Sequence, residues 1–361
     1  MKKNFFFIGL LILLFLSLSS IAQKKAVIAY YAGSIEKLDS FDARNFTHII
    51  YCFGHLQGDQ LKLRGAKDTA IIQKMVSMKY QNKDLKVLLS LGGWGGCEPC
   101  SDVFSTAEGR INFAKSVKSL TDYFGADGID LDWEYPAIAG FPNHKFTPED
   151  KPNFTELVKA LRKELGKKMT ITFAAGGFQK FANDAVDWSD IMPYVNYVNL
   201  MTYDLVSGYA TTTGHHSALF STIKQKESAD NCIQYLLSLG VPAKKLIIGA
   251  AFYARTWEGV IDQNNGLYQK GKFKHFIGYN EFQNRISENT GYKFYWDNEA
   301  QAPYAYNATE KSYATFDDKQ SIKAKSNYVI THKLGGIMFW QLGHDYSKNG
   351  LVETINMTFK K

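Results

Sequence analysis

The 361-residue sequence is poor in the residues that mark linkers and small disulfide-bonded folds. It has eight prolines and four cysteines, which excludes a Pro-rich linker and the dense disulfide framework of a small secreted domain. Charged residues are 21% and hydrophobic residues 45% of the chain, which excludes wholesale disorder and a coiled coil. The net charge of +7 comes without a basic run, so we expect no nucleic-acid partner.

The apolar run near the N-terminus is also too short to cross a bilayer. It extends from Phe5 to Leu18, whereas a membrane-spanning helix needs about 20 residues. Lys2 and Lys3 precede it and Ala22 ends the small-residue segment that follows, as in a secretory signal peptide. We therefore expect residues 1–22 to be a signal peptide, with an uncleaved anchor as the alternative. Cleavage predicts a secreted protein, extracellular or periplasmic, with no membrane partner.

The four cysteines fit neither a zinc site nor a disulfide framework. Cys97 and Cys100 form a C-x-x-C in a Gly-rich loop, where either a local disulfide or two free thiols fits the sequence. Cys52 and Cys232 stand in apolar surroundings, and we expect both to be buried thiols.

Short β-rich segments alternate with helical patterns after residue 23. Apolar residues recur at helical spacing in two segments, Phe113 to Phe124 and Phe154 to Leu165, and Thr147 is the expected N-cap of the second helix. Eight such alternations predict a (β/α)8 barrel, with a doubly wound sheet as the alternative. No G-x-G-x-x-G follows the first strand, which argues against a dinucleotide fold. The predicted strands are Ala26–Tyr31, His48–Phe53, Lys86–Leu91, Gly128–Glu134, Met169–Ala175, Tyr197–Thr202, Leu246–Phe252 and Gly336–Trp340.

One connection is too long for a loop. Residues 258–317 are polar and rich in Tyr, Phe and Asn, without strong helical periodicity. We therefore expect a small α+β insertion domain between strands 7 and 8, within a single barrel of residues 23–361.

Three acids in the fourth predicted strand point to chemistry. Because strand side chains alternate, Asp130, Asp132 and Glu134 share one face of the strand. In a barrel these carboxylates face the interior, with Glu134 at the carboxyl end where barrel active sites lie. A Mg²⁺ or Ca²⁺ site is the alternative. No histidine or second acidic cluster supports it, so we predict neither a metal nor a cofactor.

These residues resemble a known family. Asp127, Asp130, Asp132 and Glu134 match the D-x-x-D-x-D-x-E signature of family 18 glycoside hydrolases, the chitinases and their relatives. Other segments resemble further family motifs in the expected order: Ser90-Leu91-Gly92-Gly93-Trp94, Met201-Thr202-Tyr203-Asp204, Phe252-Tyr253-Ala254-Arg255 and Gly335-Gly336-Ile337-Met338-Phe339-Trp340. The resemblance covers nearly the whole chain after residue 22, and the long insertion is similar to the chitinase insertion domain.

The resemblance implies a mechanism in which the substrate supplies its own nucleophile, an exception to the usual two-carboxylate scheme. Glu134 is then the general acid and base, Asp132 orients the substrate's acetamido group, and Asp130 shares a proton with Asp132. Tyr203 donates to the acetamido group, whereas Asp127, at odd spacing, holds the start of the strand.

The resemblance also implies a substrate cleft. The expected sugar contacts are Asp204, Met201, Trp340, Trp94, Tyr31, Phe53, Tyr135, Arg255 and Tyr253. Many chitinases carry a Trp where this chain has Tyr209. This difference affects how strongly the +1 side of the cleft binds the sugar. His215 and His216 follow in the next loop, and we expect a structural or solvent-facing role for both.

The implied partner is chitin or chitooligosaccharide, and the implied state of the protein is a monomer. Because this substrate is neutral, the positive charge of the protein is incidental to its binding. An endo-β-N-acetylglucosaminidase acting on N-glycans shares the chemistry and is the main alternative. A chitin-binding lectin on the same fold is a further alternative, against which the presence of Glu134 argues.

Overall fold

The computed structural model describes residues 24–360, so the predicted signal peptide lies outside the described residues. Eight parallel strands form a closed barrel in which each strand pairs with its neighbours along the chain, and the first strand pairs with the eighth. The predicted (β/α)8 barrel is confirmed, and the doubly wound alternative is wrong because the sheet has no free edge. The barrel strands are Ala26–Tyr31, His48–Tyr51, Lys86–Gly92, Gly128–Asp132, Thr170–Gly176, Tyr197–Met201, Leu246–Ala251 and Gly336–Trp340.

Alternation along the first strand shows how the barrel separates two cores. Val27, Ala29 and Tyr31 belong to the outer core between strands and helices. Ala26, Ile28 and Tyr30 belong to the smaller core inside the barrel. Each strand therefore offers its even or odd positions to the interior, where a ligand site is built.

The surrounding helices bury apolar stripes on the outer core. In the helix Ala107–Phe124 the Thr106 hydroxyl caps the first turn by accepting from the Gly109 amide at 3.0 Å. Gly125, with φ of 69°, ends it in the left-handed conformation that glycine adopts without strain. The longer helices are Ala66–Ser77, Ala107–Phe124, Asp150–Leu165, Ala229–Ser238, Lys319–Thr331 and Leu351–Phe359. Shorter ones are Ile35–Leu38, Cys100–Phe104, Gln179–Asp184, Trp188–Ile191 and Phe282–Arg285.

The helix after the fourth strand begins later than its sequence predicts. Thr147 is not the N-cap, because the helix starts at Asp150. The buried Asp150 carboxylate accepts from the Thr147 amide at 2.8 Å and from the Ser101 hydroxyl at 2.8 Å. These bonds hold residues 147–149 as a turn ahead of the helix.

An antiparallel five-stranded sheet separates the seventh and eighth barrel strands, as predicted. Its spatial order is Lys272–Gly278, Tyr253–Glu258, Ser312–Thr315, Ala302–Asn307 and Lys293–Asp297. Because its first strand begins at Tyr253, the predicted boundary at residue 258 falls at the end of that strand. A two-stranded hairpin, His55–Gln57 with Gln60–Lys62, follows the second barrel strand.

Cys97 and Cys100 are joined by a disulfide, which decides between the two states left open by the sequence. Cys232 is buried, as expected, whereas Cys52 is half-buried. Between residues 24 and 360, none of the helices combines the length and apolarity needed to cross a membrane.

Candidate active site

The fourth barrel strand places its acids as its alternation predicts. Asp130 and Asp132 are buried at 0% and 4% exposure inside the barrel, while Ile129, Leu131 and Trp133 pack in the outer core. The strand ends at Asp132, so half-buried Glu134 lies just beyond its carboxyl end. Two buried acids thus lie below a third acid that ligands can reach.

Asp130 is held by three side-chain donors. The Tyr30 hydroxyl donates to Oδ2 at 2.9 Å, and Thr172 Oγ1 and Asn199 Nδ2 donate to Oδ1 at 2.5 and 3.1 Å. Burial nevertheless raises the pKa of Asp130 to about 6, because these bonds offset only part of the loss of water. In this structure Asp130 bonds to Tyr30, Thr172 and Asn199, and its proton sharing with Asp132 stays a prediction.

Asp132 and Glu134 titrate under each other's influence. Burial raises the pKa of Asp132, and the charges of Glu134 and Asp130 raise it further. The Asp132 Oδ1 atom is buried and finds no hydrogen-bond partner within residues 24–360. Burial also raises the pKa of Glu134 to about 8, and the charge of Asp204 adds to the rise. The Asp132–Glu134 pair therefore keeps a proton to higher pH than ordinary carboxyl groups do, which suits a general acid.

Asp127 acts at the other end of the strand. Its Oδ2 accepts from the Val87 amide at 2.8 Å and pairs with Lys79 at 2.6 Å. It fastens the start of the fourth strand to the third, and it has no part in the interior cluster.

Asp204 lies at the end of the sixth strand in a left-handed conformation, with φ of 56°. Arg255 grips its carboxylate through Nε at 2.5 Å and Nη2 at 2.6 Å, and the Tyr253 hydroxyl donates to Oδ1 at 2.7 Å. Burial alone would raise the pKa of Asp204, but the bonds from Arg255 and His216 and their charges outweigh burial and hold it well below its usual range. Asp204 is therefore a fixed anion beside Glu134.

Arg255 and Tyr253 were predicted as sugar contacts. In the structure both donate hydrogen bonds to Asp204. Tyr253 is 1% exposed, and its ring stacks on Phe276 with centroids 4.4 Å apart. Its direct contact with a ligand is therefore not supported, and its described role is to hold Asp204.

His216 completes this cluster. The side chain is fully buried, and Nδ1 lies 3.3 Å from Asp204 Oδ1. Burial lowers the pKa of His216, and the hydrogen bond to Asp204 and the charge of Asp204 offset part of that fall. The expected structural role fits its position, but its partner is a site residue.

Aromatic rings surround the acids at the mouth of the barrel. Trp340 stacks on Phe53 at 5.6 Å between ring centroids and tilts against Tyr30 at 6.2 Å. Half-buried Tyr203 lies against the interior core beside Met201 and directs its hydroxyl to Met338 Sδ at 3.8 Å. Burial, with the charges of Asp132 and Glu134, raises the pKa of Tyr203, so its phenol remains a donor.

Trp94 extends this aromatic surface outward. It is 48% exposed, and its indole meets Tyr135 and Phe141 edge-on at 6.4 and 5.6 Å between centroids. The Cys97–Cys100 disulfide closes the loop that carries it. An indole face of this kind packs well on the C–H face of a sugar ring.

The predicted sugar contact of Tyr31 is wrong. Tyr31 is completely buried in the outer core, and its hydroxyl donates to the Ser34 carbonyl. Its neighbour Tyr30 faces the interior instead. Alternation alone does not choose between them, because both faces of this strand are apolar.

Asn199 and Thr172 were not predicted as site residues, although the sequence contains a pattern that indicates them. Asn199 shares a strand face with Met201, and Thr172 lies on the fifth strand in register with Asp130. A polar residue at an inward position of a barrel strand next to an acid is the pattern that identifies such donors.

The arrangement can deliver a proton beside a buried anion in an aromatic pocket. Glu134 supplies the proton, and Asp204 is already satisfied by Arg255, Tyr253 and His216. This arrangement suits an acid–base hydrolase in which the Asp204 and Asp130 carboxylates are held by other side chains, while Asp132 Oδ1 has no partner within residues 24–360.

Comparison with known proteins agrees with this class. Residues 26–345 match the family described as "Glycosyl hydrolases family 18", and the chain belongs to that family. It is 33% identical over 302 residues to Chitinase A1 of Niallia circulans, an alignment that covers 77% of this chain and 43% of that protein. It is 30% identical to "Probable chitinase 2" of Drosophila melanogaster, over 85% of this chain and 68% of that protein.

A solved structure shares the architecture over the whole domain. The family 18 N-acetylglucosaminidase of Paenibacillus barengoltzii superposes with a TM-score of 0.84 at 32% identity, covering 92% of this chain and 99% of that one. The chain spans less than half the length of Chitinase A1.

Proposed function

We propose that this chain is a secreted chitinase that cleaves β-1,4-linked N-acetylglucosamine polymers with retention of configuration. One observation carries the proposal: Glu134, with its raised pKa, lies just beyond the strand that buries Asp130 and Asp132. The names of the relatives, Chitinase A1 and Probable chitinase 2, support the polymer as substrate. The sequence pattern of residues 1–22 supports export, and we propose a monomer as the active form.

In the first step, the acetamido carbonyl oxygen of the sugar at the cleavage site attacks its own anomeric carbon. The bond to the leaving sugar breaks, and that sugar's oxygen takes the proton of Glu134. The sugar becomes an oxazolinium ion, whose positive charge the neighbouring Asp132 carboxylate stabilises. Tyr203 donates its phenol to the acetamido oxygen and holds it in position.

In the second step, Glu134 removes a proton from a water molecule as the water oxygen attacks the anomeric carbon. The oxazolinium ring opens, the acetamido group is restored and Glu134 is protonated again. One water is consumed for each bond cleaved, and two inversions give net retention.

The state of Asp204 supports the substrate as nucleophile. A retaining enzyme of the usual kind needs a free carboxylate about 5–5.5 Å from the acid. Asp204 accepts from Arg255 and Tyr253, while Asp130 is enclosed below the pocket. Neither is disposed to form a covalent bond to the sugar, and we assign Asp132, whose Oδ1 has no partner within residues 24–360, to the acetamido group instead.

A second candidate is an endo-β-N-acetylglucosaminidase that acts on N-glycans. The likeness to a solved structure described as a family 18 N-acetylglucosaminidase, from Paenibacillus barengoltzii, favours it. The chemistry at Glu134 is the same, so the two candidates differ only in which sugars the aromatic cleft accepts.

Glu134→Gln is the direct test. Loss of the general acid is expected to lower kcat on chitotetraose by about 10²–10⁴-fold with little change in binding, measured by product release and by titration calorimetry. Glu164→Gln, an exposed glutamate on the helix after the same strand, is the matched control and is expected to keep full activity. Full turnover by Glu134→Gln would contradict the assignment.

Mass spectrometry of products separates the two candidates. Chitotetraose and a high-mannose glycopeptide are offered to the same preparation. We expect chitobiose or N-acetylglucosamine from the first and no cleavage of the second. Cleavage of the glycopeptide alone would transfer the proposal to the second candidate.

A further inference from the structure

The positive charge of this protein is gathered at one end of the barrel. The loops that lead into the eight strands all end at the face opposite the acids of the site. We call this face the basic pole, and define it as residues 24–25, 43–47, 79–86, 125–127, 166–169, 192–196, 239–245 and 332–335. It carries eleven of the lysines and arginines but only two of the 35 acidic residues, Asp84 and Asp127. The rest of the chain from residue 24 onward has more acids than bases.

Some of these basic side chains form salt bridges or hydrogen bonds within the pole. Lys79 and Lys86 pair with Asp127. Lys25 donates to the Leu334 carbonyl, and Lys245 donates to the carbonyls of Met192 and Val195. These bonds fasten neighbouring loops of the pole to each other.

Six lysines of the pole make no such contacts. The exposed lysines that form no salt bridge with any residue that the structure describes are Lys24, Lys83, Lys167, Lys168, Lys244 and Lys333. Apart from Lys24 they lie at or after helix ends, but their side chains make no cap bond there. After the helix Asp150–Leu165, for example, the Gly166 amide donates to the Arg162 carbonyl, and the Arg162 side chain donates to the Gly166 carbonyl. Fold stability therefore does not account for their number.

Exposed apolar side chains accompany the lysines. Tyr80 is 92% exposed, Tyr123 73%, Leu239 44% and Ile330 43%, and each lies at or beside the C-terminal end of a helix that reaches the pole. Tyrosine with scattered aliphatic side chains is the composition of surfaces that sit at the headgroup level of a bilayer. Lysines close to an anionic bilayer add roughly a fivefold gain in binding each, since each is worth about 1 kcal/mol.

We propose that the basic pole is a docking surface for a bilayer rich in anionic phospholipid. The positive charge of the pole is complementary to the negative charge of the phospholipid headgroups. The exposed tyrosines favour a lipid surface over a rigid polyanion. A bilayer partner departs from the expectation of no membrane partner, which was drawn from cleavage of residues 1–22 alone. Docking in this way points the pocket of Glu134 away from the bilayer, toward substrate in the surrounding medium. The proposal is independent of which glycan the pocket cleaves.

Vesicle flotation tests the proposal. The protein is expressed from the full sequence, and mass spectrometry identifies the N-terminus of the purified chain. Vesicles contain either phosphatidylcholine alone or equal parts of phosphatidylcholine and phosphatidylglycerol. We expect binding to the anionic vesicles only, with loss of binding at high salt because these contacts are screened. Equal binding to both vesicles, as an uncleaved apolar segment would give, or binding to neither, overturns the proposal.

Two matched fourfold variants locate the surface. K83E/K167E/K168E/K244E reverses four lysines of the pole, and K270E/K272E/K274E/K293E reverses four exposed lysines of the insertion domain. We expect the first to lower the vesicle partition coefficient by more than about 100-fold and the second to retain most of the binding. Equal losses in both variants would show a general charge effect and overturn the assignment to the pole. Thermal unfolding confirms that both variants are folded, and binding to RNA without binding to vesicles would refute lipid as the partner.

Discussion

Lys325→Met removes one half of a fully buried ion pair behind the site. Lys325 Nζ lies 2.6 Å from Asp317 Oδ2 and 2.6 Å from Ser217 Oγ, and both charged side chains are at 0% exposure. Asp317 also accepts from the Ala251 amide at 2.8 Å, at the end of the seventh barrel strand. The cluster joins four parts of the chain: the loop that carries His216, the seventh strand, the end of the insertion domain and the helix Lys319–Thr331.

The cost of the substitution follows from what is left unpaired. Methionine fills the volume of the lysine stem, but the Asp317 charge stays buried. Removal of one partner of a buried pair costs about 3–5 kcal/mol. Because Asp317 keeps its bonds from Ser217, Ser321 and the Ala251 amide, we expect the lower end, about 3 kcal/mol.

Urea unfolding followed by circular dichroism measures this loss. Lys323→Met, an exposed lysine on the same helix, controls for helix propensity and is expected within about 0.5 kcal/mol of the parent. D317N/K325M removes both charges and is expected to lose less stability than Lys325→Met alone. A loss below about 1 kcal/mol for Lys325→Met, or a double variant that loses the sum of both single losses, would refute the reasoning.

Three further predictions concern the acids of the site. Because Glu134 must be protonated to act and its pKa is raised to about 8, kcat/KM should fall as pH rises through about 8, as a pH–rate profile would show; a fall beginning near pH 5 would contradict this assignment. The same raised pKa makes ionised Glu134 destabilising, so Glu134→Gln should be more stable than the parent at pH 9 and equal to it below about pH 4, in thermal unfolding at the two pH values. Tyr30→Phe removes a donor from Asp130 and should cost about 1–3 kcal/mol of stability and lower kcat; unchanged values of both in urea unfolding and kinetics would show that Asp130 needs no such donor.

The barrel and its interior acids could be predicted from the sequence because each produces a short-range pattern. Strand alternation placed Asp130 and Asp132 inside and Trp133 outside, and the positions of these residues confirm it. The insertion domain was visible as a polar segment too long for a loop. These features depend on residues a few positions apart, where periodicity is informative.

The contacts that prepare the site were not accessible, since they join distant segments. Arg255 and His216 converge on Asp204 from the second sheet and from a loop, and no local pattern announces the pairing. The choice of Tyr31 over Tyr30 failed for a different reason. The first strand is apolar on both faces, so its sequence carries no mark of which face is inward.

The closing of the barrel bears on how the protein is made. The first strand has its final partner only when the eighth arrives, through pairs such as Ala26 with Gly336. At about 5–20 residues per second, a ribosome delivers the eighth strand roughly 15–60 s after the first. Throughout that interval the wholly apolar strand Ala26–Tyr31 has one unpaired edge, which is a template for aggregation. The first strand therefore exposes an aggregation-prone edge for as long as the eighth strand is missing.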